Sequence, residues 1–244
     1  MTKNVFAKVF KYDPSRDTEP YYETYEVPWK PYLTVLEVLR YISENYEDIA
    51  FDYGCRARYC GRCGMMVNGK PVLACLTPVE PGEVTIEPLK NFPVIRDLVV
   101  DRSRIKSRLF NIRPSIQRKK PMKEIADVPY ETFVKTYSLN NCRECLLCYT
   151  VCPVINDPPK GSEMFCGPAV LLRLAQRFYD PRDEADRVAE AVHEGLWQCI
   201  MCGRCHEACL YGSDVLKDLP LIYVDHLANY RALRKAAEER GLTP

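Results

Sequence analysis

The sequence lacks several features that would place it quickly. It has no run of about 20 apolar residues, the length that spans a bilayer; stretches such as "AVLLRLA" and "LPLIYV" fall far short, so membrane contact is expected only through a partner. The opening "MTKNVFAKVFKYDPSRDTEP" lacks a basic-then-apolar leader, so a reducing compartment is expected, where disulfides seldom persist. Neither sign of charge dominates. With 34 Lys and Arg against 33 Asp and Glu, the net charge of +1 gives no reason to expect nucleic acid or an acidic substrate. Histidine is scarce, and His193, His206 and His226 offer no nucleophile and base at recognisable spacing, so no catalytic constellation is expected.

Cysteine, by contrast, is in surplus: 13 in 244 residues. A chain of this length buries real cores without disulfide staples, so metal or cluster ligation is the natural reading. Twelve fall into three groups, Cys55, Cys60, Cys63 and Cys75, then Cys142, Cys145, Cys148 and Cys152, then Cys199, Cys202, Cys205 and Cys209. Only Cys166 stands alone, and a lone thiol before a helix reads first as a small packed hydrophobe.

The first hundred residues read as mixed α and β. "NVFAKVFKY" and "YYETYEV" are strand candidates, rich in aromatic and β-branched residues. Thr34 and Glu37 form a capping box ahead of Val35, Val38, Leu39 and Ile42, which recur at helical spacing. "GMMVNGKPVLAC" is a hairpin signal turning at Asn68-Gly69, and "EVTIEPL" supplies a further strand. Beyond Arg102 the texture changes to helices joined by proline-rich loops, which places a boundary near Arg104 and predicts domains over 1–104 and 105–244. "GPAVLLRLAQRFYD" and "PRDEADRVAEAVHEGLW" carry proline at or near their starts, and "LPLIYVDHLANYRALRKAAEERG" ends on glycine. The basic run Arg102, Arg104, Lys106, Arg108, Arg113, Arg118, Lys119, Lys120 and Lys123 reads as a solvated helix and linker, or as a docking surface for an acidic partner.

The cysteine spacings carry the chemistry. C-x4-C-x2-C with a fourth cysteine later is the plant-type ferredoxin pattern, which predicts a 2Fe-2S cluster on Cys55, Cys60, Cys63 and Cys75. Gly54, Gly61 and Gly64 suit a loop pressed close to inorganic sulfide, with backbone N–H groups free to point at sulfur. "CRECLLCYTVCP" is the bacterial run C-x2-C-x2-C-x3-C-P, whose fourth cysteine ligates the other cluster, and "CIMCGRCHEAC" repeats the spacing. Crossing the assignments gives Cys142, Cys145, Cys148 and Cys209 for one 4Fe-4S cluster, and Cys152, Cys199, Cys202 and Cys205 for the other. Zinc sites could use the same residues, and the first group could also be buried free thiols. Arg62 and Arg204 lie beside clusters, where positive charge favours the reduced form, although surface arginines often have no such role. His206 can tune potential or pass protons to a quinone, and packing or solvent contact serves equally well as its role.

With these motifs placed, and with "GPAVLLRLAQRFYDPRDE" and "GLWQCIMCGRCHEAC" in order behind them, the chain resembles over nearly its full length the iron-sulfur subunit of the succinate dehydrogenase and fumarate reductase family. The resemblance implies an α+β fold, an N-terminal β-grasp ferredoxin-like domain followed by an all-α bacterial-ferredoxin-like domain. It implies three clusters relaying electrons between an FAD in a partner flavoprotein subunit and quinone beside a membrane anchor, any haem lying in partner subunits. The chain itself holds no substrate site and sits peripherally on the cytoplasmic face of the membrane, with Pro153 and His206 near the quinone. Three departures bear on this. Most family members have a non-cysteine residue at the position of Cys202 and a 3Fe-4S third cluster; here 4Fe-4S is expected, with 3Fe-4S the outcome if Cys202 is not a ligand, and the full cubane suits a menaquinone-type acceptor. Asn156 and Asp157 stand where ubiquinone-reducing members carry tryptophans, and Leu210 replaces the usual proline after the last cysteine. The competing redox reading is the iron-sulfur component of a thiol-dependent fumarate reductase or heterodisulfide reductase, whose Cys-Cys-Gly motif is absent from this sequence. The competing non-redox reading is a zinc-stapled interaction protein.

Overall fold

The computed structural model describes residues 3–119, 121, 128–156 and 165–211. The chain divides into two compact units, Met1–Arg104 with Arg143–Val151, and Ile105–Cys142 with Cys152–Pro244.

In the first unit the two aromatic and β-branched runs form β1 (Asn4–Lys11) and β2 (Tyr21–Pro28), an antiparallel pair in which Val5 faces Val27 and Ala7 faces Tyr25. Side chains alternate across the sheet, so Val5, Ala7 and Val9 are buried while Phe6 and Lys8 face out. The other strands are β3 (Gly64–Val67), β4 (Lys70–Leu73) and β5 (Gly82–Glu87). β5 runs parallel to β1, β3 antiparallel to β5, and the order is β2-β1-β5-β3-β4. Helix α1 (Val35–Asn45) buries Val35, Leu36, Val38, Leu39 and Ile42, which completes the β-grasp arrangement. Its capping box is formed: the Glu37 N–H donates to Thr34 Oγ1 at 3.3 Å, and the Thr34 N–H donates to Glu37 Oε2 at 3.0 Å. The β3–β4 turn places Asn68 at φ 47° and Gly69 at φ 75°, as a tight hairpin requires. Asn68 Oδ1 then accepts the Thr85 N–H at 2.8 Å, tying the hairpin to β5.

A small ribbon, β6 (Val94–Arg96) and β7 (Val99–Val100), is not legible in the sequence because its strands are too short to show a period. Its buried turn residue Asp97 accepts the Tyr12 N–H at 3.1 Å and the Ala50 N–H at 2.9 Å. Buried Lys11 lies 3.9 Å from the same carboxylate and 3.1 Å from Glu47.

Among the described residues the helices beyond Arg102 are α2 (Ser103–Asn111), α3 (Tyr130–Leu139), α4 (Leu147–Thr150), α5 (Pro168–Phe178), α6 (Arg187–His193) and α7 (Arg204–Glu207), with a 3-10 turn at Leu196–Gln198. Of these, α4 lies in the segment that packs with the first unit. α5 opens on Pro168, as its sequence predicts. α6 does not open near Pro181. It begins at Arg187, where the Asp186 side chain accepts the Ala189 N–H at 3.0 Å. The residues between are held in a turn, Asp180 accepting from the Arg182 backbone at 3.1 Å and from its guanidinium at 2.8 Å. Arg187 is buried and donates to Asp183 at 2.5 Å, to Glu190 at 2.7 Å, and to the carbonyls of Ile112 at 2.8 Å and Ser115 at 3.0 Å. The basic run is partly consumed inside the second unit, since Arg108 pairs with Glu194 at 3.0 Å and Arg118 with Glu184 at 3.2 Å. The helix expected over the last proline-to-glycine stretch lies outside the described residues, as do Lys120, Lys123, Asp157 and His226.

Candidate iron-sulfur centres

The first cysteine loop is shaped to hold thiolates. Cys55 Sγ accepts the N–H groups of Tyr59 at 3.1 Å, Cys60 at 3.2 Å and Ala57 at 3.4 Å, and Cys60 Sγ accepts the Cys55 N–H at 3.4 Å. A coil this tight needs positive φ, taken by Arg56 at 56° and Arg58 at 63°. The N–H donors, led by Ala57, bring the Cys55 thiol down to about 7. Cys63 lies at the foot of β3, where burial pushes its thiol up to about 12 against the opposing N–H of Cys75. The β3–β4 hairpin carries Cys75 back beside Cys63, and the Ala74 N–H bonds the Cys63 carbonyl at 2.9 Å. This set fits a group that binds through sulfur and carries negative charge, because the backbone already supplies the donors such charge needs.

Gly54 leaves room beside a cysteine sulfur, since a Cβ there would lie 3.3 Å from Cys60 Sγ. Gly61 and Gly64 also make room for a distant segment. At Gly61, with φ +68°, a Cβ would lie 2.6 Å from the Arg143 carbonyl and 2.9 Å from Cys145 Cβ, and at Gly64 it would lie 3.0 Å from the Cys145 carbonyl. What these glycines admit is the second cysteine motif. Asn91 fastens that segment by donating to the Tyr149 carbonyl at 3.0 Å, and the Arg143 guanidinium stacks 4.2 Å from the Tyr59 ring centroid. Cys145 and Cys148 thus stand with the first unit, and Cys142 and Cys209 with the second, where the Cys142 carbonyl accepts from Arg173 at 3.2 Å.

Cys152, Cys199, Cys202 and Cys205 gather within the second unit. Burial raises the Cys152 and Cys199 thiols and pushes Cys205 up to about 12, and the facing sulfurs, Cys202 among them, push the same way. Gly203, at φ +74°, makes the bend between Cys202 and α7, the helix that carries Cys205. Thiols pressed together in this way ionise only when bound metal compensates the charge, so this set fits a cluster too. Among the described residues no three His, Cys, Asp or Glu side chains converge closely enough to share one metal ion, and a cluster, whose thiolates bind different irons, does not require it.

Pro153 is half-buried beside Cys152, His206 is half-buried in α7 next to Cys205, and Arg204 is exposed. Cys166 is fully buried at the start of α5, its N–H donating to the Glu194 carbonyl at 2.9 Å and burial raising its thiol, which fits the packed residue read from the sequence. Arg62 is largely exposed and lies 3.5 Å from Asp52. Nothing in the spacing of residues signals the role of Arg102. One member of a basic run in the sequence, it donates in the structure to the Arg62 carbonyl at 3.0 Å, within the loop that carries Cys60 and Cys63.

Two family models match: a "2Fe-2S iron-sulfur cluster binding domain" over residues 6–107 and a "4Fe-4S dicluster domain" over residues 135–210. The chain is 38% identical over 227 residues to a fumarate reductase iron-sulfur subunit of Mycobacterium tuberculosis, covering 88% of this chain and 89% of that one. It is 40% identical over 204 residues to one of the subunits of the CoM/CoB fumarate reductase of Methanothermobacter marburgensis, covering 83% of this chain but spanning only 40% of that relative. Its fold superposes on a chain of the Mycobacterium smegmatis Sdh1 complex in the apo form with a TM-score of 0.86 at 28% identity, covering 95% of this chain and 98% of that one. Two ferredoxin-like domains with their cysteine sets, and likeness running through both chains of a reciprocal match, establish that this chain belongs to the iron-sulfur subunits of fumarate reductases and succinate dehydrogenases.

Proposed function

We propose that the chain is the electron-transfer subunit of a succinate:quinone or quinol:fumarate oxidoreductase, relaying electrons between the FAD of a flavoprotein subunit and quinone at a membrane anchor. The observation that carries this is the close approach of Gly61 and Gly64 to Cys145, because a relay needs its first two stations in contact. Residues 1–104 form the plant-type domain and 105–244 the dicluster domain. The ligands are Cys55, Cys60, Cys63 and Cys75 for the 2Fe-2S cluster; Cys142, Cys145, Cys148 and Cys209 for the first cubane; and Cys152, Cys199, Cys202 and Cys205 for the third cluster, a full 4Fe-4S cubane.

Bound clusters supply one-electron carriers whose potentials respond to nearby charge and hydrogen bonds. The protein supplies the rest. The Ala57, Tyr59 and Cys60 N–H groups hold the Cys55 thiolate, and the exposed Cys55 to Tyr59 coil presents that end to the flavoprotein. At the third set the exposed apolar side chains Trp197, Ile200, Met201 and Leu210 suit the anchor and its quinone, with Pro153 and His206 close to Cys152 and Cys205 in sequence. A menaquinone-type partner goes with the fourth thiol. Attachment is through the anchor, on the cytoplasmic face; among the described residues no helix is long and apolar enough to cross a membrane. The methanogen likeness favours a second reading, the iron-sulfur part of a thiol-dependent fumarate reductase, but it leaves most of that relative unmatched.

The test is EPR of the anaerobically purified, oxidised protein together with an iron count. The expected protein is silent, and Cys202→Ala loses one iron per chain and gains the oxidised 3Fe-4S signal. A 3Fe-4S signal already present in the unsubstituted protein removes Cys202 from the ligand set, and zinc in place of iron overturns the reading.

A further inference from the structure

Arg102 lies at the meeting of the first two cysteine motifs. Its Nη2 donates to the Arg62 carbonyl at 3.0 Å, inside the Cys60 to Cys63 turn, and its Nε is sealed from solvent with no hydrogen-bond partner. Burial and the neighbouring Arg62 disfavour its charge, while Asp52 and the Cys145 and Cys63 thiolates favour it. One cation is therefore held within electrostatic reach of a ligand of the plant-type cluster and a ligand of the first cubane. Arg62, the cation that sequence places nearest, is exposed and lies 3.5 Å from Asp52.

An exposed charge is screened by water and salt, whereas a half-buried one such as Arg102, its Nε out of water, is screened less and keeps more of its effect over the distance between neighbouring groups. A guanidinium stays protonated even when desolvated, so the charge at Arg102 is permanent. Adding an electron to either cluster adds negative charge beside it, and the fixed cation stabilises that state in both places. Its hydrogen bond to the Arg62 carbonyl keeps the charge beside both ligands rather than free to swing into solvent.

We propose that Arg102 is a positioning residue for electron flow that raises the midpoint potentials of the 2Fe-2S cluster and the first cubane together. The two stations then stay matched while both are drawn toward the reduced state. The inference rests on the ligand assignment of the proposed function.

The experiment is a potentiometric titration of the purified holoprotein, following the EPR signals of the reduced 2Fe-2S and 4Fe-4S clusters in the unsubstituted chain and in Arg102→Gln, Arg102→Lys and Arg62→Gln. Arg102→Gln keeps a donor for the carbonyl and removes the charge. It is expected to shift both reduction equilibria roughly tenfold toward the oxidised form, about 59 mV for a one-electron couple. Arg102→Lys keeps the charge and is expected to leave both midpoints near their original values, and Arg62→Gln is expected to move them far less than Arg102→Gln. Unmoved midpoints in Arg102→Gln overturn the proposal. So does Arg102→Lys falling as far as Arg102→Gln, which makes hydrogen-bond geometry the cause, or loss of iron from Arg102→Gln, which makes the residue structural. Absence of the two cluster signals from the unsubstituted protein is a different result and overturns the ligand assignment itself.

Discussion

The Cys55 loop and the Cys152 set prepare their thiols in opposite ways. In the first, four N–H···S bonds are in place and the Cys55 thiol is drawn down to about 7; in the second, buried Cys152 and half-buried Cys205 are driven up by burial and by the neighbouring sulfurs. The first site is preorganised by its backbone on a sheet with its own apolar core. The second is an arrangement that iron completes. Cooperative loss of structure on metal removal is therefore expected to be uneven along one chain.

The largest effect that would bring out this contrast is chelation of iron under reducing conditions. Amide exchange protection at 196–211 is expected to vanish while β1, β5 and α1 keep theirs, because metal binding and local folding are one equilibrium at the second site. Equal loss in both regions would erase the distinction.

Next in size is Arg187→Met. It strands Asp183 and Glu190 beside three carbonyls that lose their donor, and one-sided removal of a buried charge costs about 3–5 kcal/mol. Denaturant unfolding followed by signals of the second unit should move by that amount, and a change below about 1 kcal/mol would show that buried charge is not what holds that unit's linker.

Smallest is Gly61→Ala. It forces a Cβ to within 2.6 Å of the Arg143 carbonyl at a positive φ, costing about 1–3 kcal/mol. Chemical denaturation of the first unit measures the loss, and freeze-quench EPR should show slower electron transfer from the 2Fe-2S cluster to the first cubane. Unchanged transfer would argue that the contact with Cys145 is packing alone.

The contrast also marks where sequence reading succeeds. Thr34 and Glu37, Asn68-Gly69 and Pro168 act within a few residues of themselves, so each local feature was legible. The ribbon at Val94–Val100 and the late start of α6 were not, because they depend on Asp97 reaching Tyr12 and Ala50, and on Arg187 reaching Ile112 and Ser115. Gly61 and Gly64 were singled out for closeness to sulfide, and their approach to the Arg143 carbonyl and Cys145 was not legible because those residues are far away in the chain.

That the chain carries a 2Fe-2S domain followed by a 4Fe-4S dicluster domain could be read from the chain alone, because cysteine spacing is written in it and iron chemistry reads that spacing directly. It took the folded molecule to show that Arg143–Val151 packs with the first unit, that exposed Cys202 lies within electrostatic reach of Cys152 and Cys205, and that half-buried Arg102 is tied to the Arg62 carbonyl within electrostatic reach of Cys63 and Cys145. Each of these depends on which distant segments meet, and burial, which no spacing encodes, sets how strongly the charges there are felt.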